Sequence, residues 1–242
     1  MLERLTSAGR VEAVVANLTQ LVAVVAPRPS PDWFVVDRYL AGAAWSGVAA
    51  AIAFNKAELA PAAEPALAAY ATVGYPILSC STRAAPGVAT LAAQLRGHVS
   101  VLVGQSGTGK SSLLNALAPA ARAVTQEISV ATEQGRHTTT TAVLHRLGSG
   151  GDLIDSPGVR DYSPPLPAPR TVGSGFLEIA RLAPHCRFQD CLHSAEPGCA
   201  VRAAVDSGEV DARRFESYRR LLGLAREFAE RDPARRPRDR LS

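Results

Sequence analysis

The run Gly104, Gln105, Ser106, Gly107, Thr108, Gly109, Lys110, Ser111 has the spacing of a loop that wraps phosphate, and Ser112 extends it. Glycines let successive backbone amides turn inward around an anion, and the helix that follows presents its positive end. Lys110 then reaches the β- and γ-phosphates, and the Ser111 hydroxyl is a ligand for Mg²⁺. An apolar strand, Val99–Val103, precedes the run and a helix-forming stretch, Ser111–Leu117, follows it. Pattern and context agree, so the chain is expected to bind a nucleoside triphosphate. A second buried strand, Asp152–Ile154, is followed by Asp155, Ser156, Pro157 and Gly158. There the carboxylate can hold a Mg²⁺-bound water and the Gly158 amide can meet the γ-phosphate. Between these two motifs lies a polar loop, Gly135 to Thr141, from which Thr139 is the expected further hydroxyl ligand of Mg²⁺. A threonine-rich sheet edge is the plain alternative for that loop.

Two further clusters carry chemistry. Asn55, Lys56, Ala57 and Glu58 follow the apolar run Ala50–Phe54. An Asn amide reads the O6/N7 edge of guanine, a Lys stem packs over the ring, and a carboxylate accepts from N1–H and N2–H₂, a donor pair that adenine lacks. A later strand end, Ser79, Cys80 and Ser81, is expected to bring a backbone amide to the same pocket. Cys80 would then be a free thiol near the base, or a small buried apolar residue. The other cluster is Cys186, Cys191, His193 and Cys199, three of the four cysteines with one histidine inside 14 residues. Cys₃His with short spacings is a tetrahedral Zn²⁺ site, and since all four ligands come from protein the metal is expected to be structural.

Of the 26 basic residues, 24 are Arg and only Lys56 and Lys110 are Lys. A chain this poor in lysine keeps it where a compact ammonium on a long stem is required, and both lie in nucleotide-type motifs. Residues 211–242 carry ten Arg against six acids, a surplus equal to the net charge of +4 of the whole chain. That basic end suits a polyanion such as RNA, or it is a solubilising tail. The apolar fraction of 47% with 20% charged residues excludes a disordered polyelectrolyte, and no apolar run approaches the roughly 18 residues of a membrane span. The stretch Val11 to Val25 is interrupted by Glu12, Asn17, Thr19 and Gln20, so it reads as buried strand plus turn rather than a signal-peptide core. A cytoplasmic, monomeric protein with no membrane partner is the expectation.

The elements that must hold these groups follow from apolar patterning. Strand-like runs at Val22–Ala26, Ala50–Phe54, Pro76–Leu78, Val99–Val103, Ala142–Leu147 and Leu153–Ile154 alternate with helix-compatible stretches at 34–45, 61–71, 86–96 and 110–118. Such alternation predicts an α/β fold, a mostly parallel sheet with helices on both faces. Four prolines between Ser163 and Pro169 predict an extended linker. Beyond it, Phe176–Leu182 reads as helix, and Phe215, Tyr218, Leu222, Ala225 and Phe228 fall on one helical face. The expected division is a short N-terminal remnant at 1–10, a nucleotide domain at 11–162, the linker at 163–170, a zinc-binding helical domain at 171–230 and a basic tail at 231–242.

The motif order is unusual, with the guanine motif at 55, the phosphate loop at 104 and the Asp155–Gly158 motif last. A site assembled from loops at one end of a sheet tolerates circular permutation, since each loop keeps its place in space. On these motifs in this order, joined by Gly135, His137 and the Cys/His cluster, the sequence resembles the circularly permuted ribosome small-subunit-dependent GTPase A family over about residues 11–230. The resemblance implies a circularly permuted P-loop GTPase domain with a small C-terminal zinc-binding helical domain. It also implies GTP, GDP, Mg²⁺ and Zn²⁺ as ligands, and hydrolysis of GTP stimulated by the small ribosomal subunit, late in maturation of that subunit and through rRNA contacts. It points to the same four zinc ligands. Two departures stand out. Glu58 replaces the family's usual Asp and, a methylene longer, must fold back to make the same hydrogen bonds. The family's five-stranded N-terminal OB barrel does not fit into the ten residues before Val11. Val159 stands where familiar small GTPases carry a water-orienting Gln, so intrinsic hydrolysis is expected to be slow. His137, matched by a histidine of the family motif, is the candidate to position water, or else it is an exposed loop residue or an RNA contact. Arg136 and Arg160 are alternatives for neutralising charge at the phosphate. Other classes consistent with the residues are a P-loop NTPase of non-ribosomal role and an RNA-binding zinc module with nucleotide as a structural ligand. The loop after Asp155 runs through the proline segment into the zinc unit, so that route is expected to transmit loss of the γ-phosphate.

Overall fold

The computed structural model describes residues 2–5, 11–60, 64–119, 142–156 and 162–231. Among them the main sheet has six strands in the order β5-β4-β3-β6-β8-β7. These are β3 (Gln20–Val25), β4 (Ala49–Phe54), β5 (Ile77–Ser79), β6 (Val99–Val103), β7 (Val143–Arg146) and β8 (Asp152–Asp155). All neighbouring pairs are parallel except β7 with β8. Alternation along β3 divides the core in two. Leu21, Ala23 and Val25 face α1 (Trp33–Trp45) and α2 (Ala66–Val73), while Val22 and Val24 face α3 (Ala89–Gln94) and α4 (Lys110–Leu117). Every residue of β3 is buried, as a central parallel strand covered on both faces requires.

Val11 to Val25 is not one buried strand with a turn. A left-handed Asn17, at φ 56, splits it. The first part, β2 (Val11–Val15), leaves the main sheet and pairs antiparallel with β1 (Leu2–Leu5), across the boundary expected at residue 10, and Val11 is 42% exposed.

The C-terminal unit has its own core of Leu166, Val172, Phe176, Ile179, Val201, Tyr218, Leu221, Leu222 and Ala225. It is built from the 3₁₀ turn Pro169–Gly175, α5 (Leu177–Leu182), α6 (Ala200–Asp206) and α7 (Ala212–Arg231). The buried stripe of α7 includes Arg214 and Leu221 beside the expected Tyr218, Leu222 and Ala225, whereas Phe215 and Phe228 are half-buried. The proline segment is extended yet packed down rather than free. Tyr162 is buried and stacks on Tyr39, and Ser163 O accepts from the Leu5 amide at 2.7 Å. A Cβ on Gly42 of α1 would lie 2.5 Å from Pro164 Cβ, and one on Gly175 would lie 2.8 Å from Ala41 Cβ. Two glycines therefore let the segment and the C-terminal unit seat directly on α1.

Candidate nucleotide and metal sites

The parallel strands β3 and β6 are neighbours from which the chain winds outward in opposite directions, and such a switch point leaves a crevice at the strands' carboxyl ends. Asn55 follows β4, Gly104 follows β6, Asp155 ends β8 and Ser79 ends β5. Motifs scattered along the chain thus emerge at one edge of one sheet. Lys56, the phosphate loop from Ser106 to Ser112 and Asp155, with Arg83, line a cleft of about 610 Å³, whereas Asn55, Glu58 and Ser79–Ser81 are not part of its lining. That size suits a nucleotide-sized ligand.

The phosphate loop and the guanine motif touch. The Asn55 amide, 1% exposed, donates to Thr108 O at 2.9 Å, and Lys56 Nζ donates to Gly107 O at 2.6 Å and to Arg28 O at 2.9 Å. Lys56 adopts a left-handed conformation, φ 56, which costs about 1–2 kcal/mol and is held by the turn it opens. A Cβ on Gly109 would lie 2.3 Å from Asn55 Nδ2, and one on Gly104 would lie 2.3 Å from Val24 O, so both glycines are fixed by close approach. Lys110 Nζ donates to the carbonyls of Gly104 at 2.6 Å and Gln105 at 2.8 Å, which hold the ammonium at the loop. The Thr108 hydroxyl donates to Gln105 O at 3.0 Å and stiffens the turn.

Ala57 and Glu58 lie in a short 3₁₀ turn (Ala57–Leu59) whose Ala57 amide donates to Cys80 O at 3.1 Å. Glu58 is exposed, and the nearby Ser81 hydroxyl is the main reason its carboxyl sits below its ordinary range. The strand end Ser79–Ser81 differs from expectation. The Cys80 amide donates to Phe54 O at 2.8 Å and the Ser81 amide to Gly87 O at 2.9 Å, so both are already engaged by neighbouring backbone. Cys80 is fully buried in the α3/α4 core, where burial pushes its thiol up to about 11; it is the small apolar residue, not a reactive thiol. His137, Thr139 and Gly158, with Arg136, Val159 and Arg160, lie outside the described residues, as does the tail beyond residue 231.

The sequence reading missed the β3–α1 loop. Arg28 O accepts from Lys56, Pro29 Cδ lies 3.5 Å from where a Gly107 Cβ would stand, and the Asp32 amide donates to Gln105 Oε1 at 3.3 Å. The available signal was its position, the first loop at the carboxyl end of a central strand.

In the second site, the ligand atoms of Cys186, Cys191, His193 and Cys199 all lie within 4.8 Å of one another. His193 Nδ1 is 3.5 Å from Cys186 Sγ and 3.4 Å from Cys199 Sγ, and those two sulfurs are 3.9 Å apart. A tetrahedron with Zn–S of about 2.3 Å and Zn–N of about 2.0 Å has edges of about 3.5–3.8 Å, so the donor set fits the ion. A left-handed His193, φ 54, turns its ring toward the cysteines. Burial lowers the His193 pKa, favouring the neutral donor, and burial together with crowding by Cys199 and Cys186 pushes the Cys191 thiol up to about 12. A dication is what would let such thiols ionise. The Glu196 carboxylate accepts from the amides of Leu192 (2.9 Å), Ser194 (2.7 Å) and Ala195 (3.0 Å), tying the loop between His193 and Cys199.

This fold and this arrangement define a circularly permuted P-loop GTPase fold, with a cysteine–histidine unit seated on its first helix. The RsgA GTPase family model matches residues 1–164, and the chain belongs to that family. It is 44% identical over 226 residues to the small ribosomal subunit biogenesis GTPase RsgA of Pseudomonas savastanoi pv. phaseolicola (91% of this chain, 66% of the relative). It is also 44% identical over 219 residues to that of Azotobacter vinelandii (88% and 64%). The chain thus spans just under two thirds of the length of these relatives. Among solved structures it resembles YloQ, a circularly permuted GTPase, with TM-score 0.71 and 27% identity over 93% of this chain and 75% of that one. It likewise resembles YjeQ from Thermotoga maritima, with TM-score 0.69 and 28% identity over 92% and 81%. No helix among the described residues is long and apolar enough to cross a membrane.

Proposed function

We propose that this chain binds GTP, hydrolyses it to GDP and phosphate, and acts in the cytoplasm in late maturation of the small ribosomal subunit through contacts with rRNA. The observation that carries the reading is the direct bonding of Asn55 and Lys56 to the phosphate loop, which joins a guanine motif and a phosphate motif into one site. In it Asn55, Lys56 and Glu58 read the base and the loop amides with Lys110 hold the phosphates. Ser111, Thr139 and Asp155 are the residues that would hold Mg²⁺. When bound, the cation neutralises charge on the β- and γ-phosphates. His137 orients the attacking water, a role that Val159 cannot fill. The names borne by the relatives support the ribosomal assignment, as does the arginine surplus of residues 211–242, and the Cys₃His cluster would hold structural Zn²⁺. GTP turnover measured with and without small ribosomal subunits, alongside nucleotide-dependent cosedimentation, tests the proposal. Stimulation by the subunit and its loss in His137→Ala are expected. Equal competition by ATP and GTP for the site, or no response to the subunit, would overturn it.

A further inference from the structure

The C-terminal unit reaches the nucleotide site by a path through α1. At one end of this helix Asp32 caps the first turn, accepting from the Phe34 amide at 3.0 Å and the Val35 amide at 3.3 Å, while its own amide donates to Gln105 of the phosphate loop. The loop leading into that cap supplies Arg28 O to Lys56. Little more than one turn further along, Asp37 is fully buried, and its carboxylate accepts from Arg214 at 2.7 Å, Arg213 at 3.0 Å and the Tyr70 hydroxyl at 2.8 Å. Arg214, 1% exposed, also grips Glu178 of α5 with two bonds of 2.6 and 2.9 Å, and its guanidinium lies over the rings of Tyr70, Tyr75 and Phe176. Two acids and two arginines balance in charge, and each buried carboxylate oxygen has a guanidinium partner.

Such a cluster resists sliding. Displacing α7 strips partners from ions that water cannot reach, which is costly, whereas a surface contact would adjust freely. A turn and a half of hydrogen-bonded helix does not stretch, so the position of Asp37 fixes the position of the Asp32 cap and of the loop before it. That loop touches both Lys56 and the phosphate loop.

We propose that Arg214 is a positioning residue for nucleotide binding: through Asp37 and α1 it sets the Arg28–Asp32 loop against Lys56 and Gln105, making the C-terminal unit part of the nucleotide site. The inference rests on the nucleotide reading above and names a route separate from the loop after Asp155. By linkage, whatever grips α7 changes nucleotide affinity by the same factor as nucleotide changes the grip on α7.

GDP distinguishes this route, because it lacks the γ-phosphate that the loop after Asp155 would sense. GDP affinity of the full chain is measured by titration calorimetry for the unaltered protein, Arg214→Lys, Gln105→Ala and the double variant. Arg214→Lys is expected to weaken binding by about fivefold or more, the lower range of measured couplings between sites. The same change in a Gln105→Ala background should add much less than it does alone. A purely structural role would lower the melting temperature and leave the affinity of the folded protein as it was. Should Arg214→Lys not fold, half-buried Arg213→Ala loosens the same cluster, and hydrogen exchange of the unaltered protein gives a second reading, with GDP slowing the amides of 212–218. Unchanged affinity in the variants, or full additivity with Gln105→Ala, or no slowing at 212–218 would overturn the inference. Failure of the unaltered protein to bind GDP would instead overturn the nucleotide reading itself.

Discussion

Replacing Gly109 with alanine tests whether the base motif and the phosphate loop truly meet. The added Cβ would stand 2.3 Å from Asn55 Nδ2, against an ordinary contact of at least 3.4 Å, so the amide must retreat by about 1 Å. Its 2.9 Å bond to Thr108 O then breaks. Asn55 is 1% exposed and its Oδ1 has no hydrogen-bond partner among the described residues, so the displaced amide finds no water. An unsatisfied buried donor costs about 1–3 kcal/mol. The left-handed backbone at Gly109, φ 93, adds about 1–2 kcal/mol for any residue with a Cβ. The total is about 2–5 kcal/mol. Gly74, φ 105, with nothing within 4 Å of its notional Cβ, isolates the backbone contribution, so Gly74→Ala should cost about 1–2 kcal/mol. Urea denaturation of both variants, each also made with Asn55→Ala, completes a double-mutant cycle. The excess of Gly109→Ala over Gly74→Ala should vanish once Asn55 is truncated. Equal deficits for the two glycine variants in both backgrounds would refute the contact.

Elemental analysis of the purified chain should find one zinc per molecule, and Cys186→Ala should abolish it while accelerating proteolysis within 171–231, because the ion closes a unit with a small core of its own. Glu196 gives a pH signature. Burial opposes its ionisation, but three neighbouring backbone amides and its own outweigh that, and the carboxyl falls from an ordinary 4.5 to about 2. The stability it contributes is therefore complete above about pH 4.5 and is lost as pH falls toward 2. Acid titration of unfolding should show that component in the unaltered protein and not in Glu196→Gln, and identical profiles would count against it.

The candidate motifs were legible in the sequence because they depend on short spacings. The phosphate loop, the Cys₃His set and the alternation of apolar runs are local, and β3 through β8, α1 and α3 through α5 fall where patterning puts them, to within a few residues, while α2 begins at Ala66 rather than at 61. The circular order of the motifs was legible too, since it needs no geometry. Tertiary structure decided what depends on residues far apart in the chain. Whether β2 joined the main sheet could not be read from its composition, because pairing with β1 satisfies the same backbone groups. The Cys80 amide was lost to Phe54 O only because β5 runs parallel to β4 in one register. A buried arginine carries no periodic signal, since its position on the stripe of α7 looks like a polar interruption. Asp37, Glu178 and Arg214 are separated by up to 177 residues, and burial of their charges is tolerable only once all three meet.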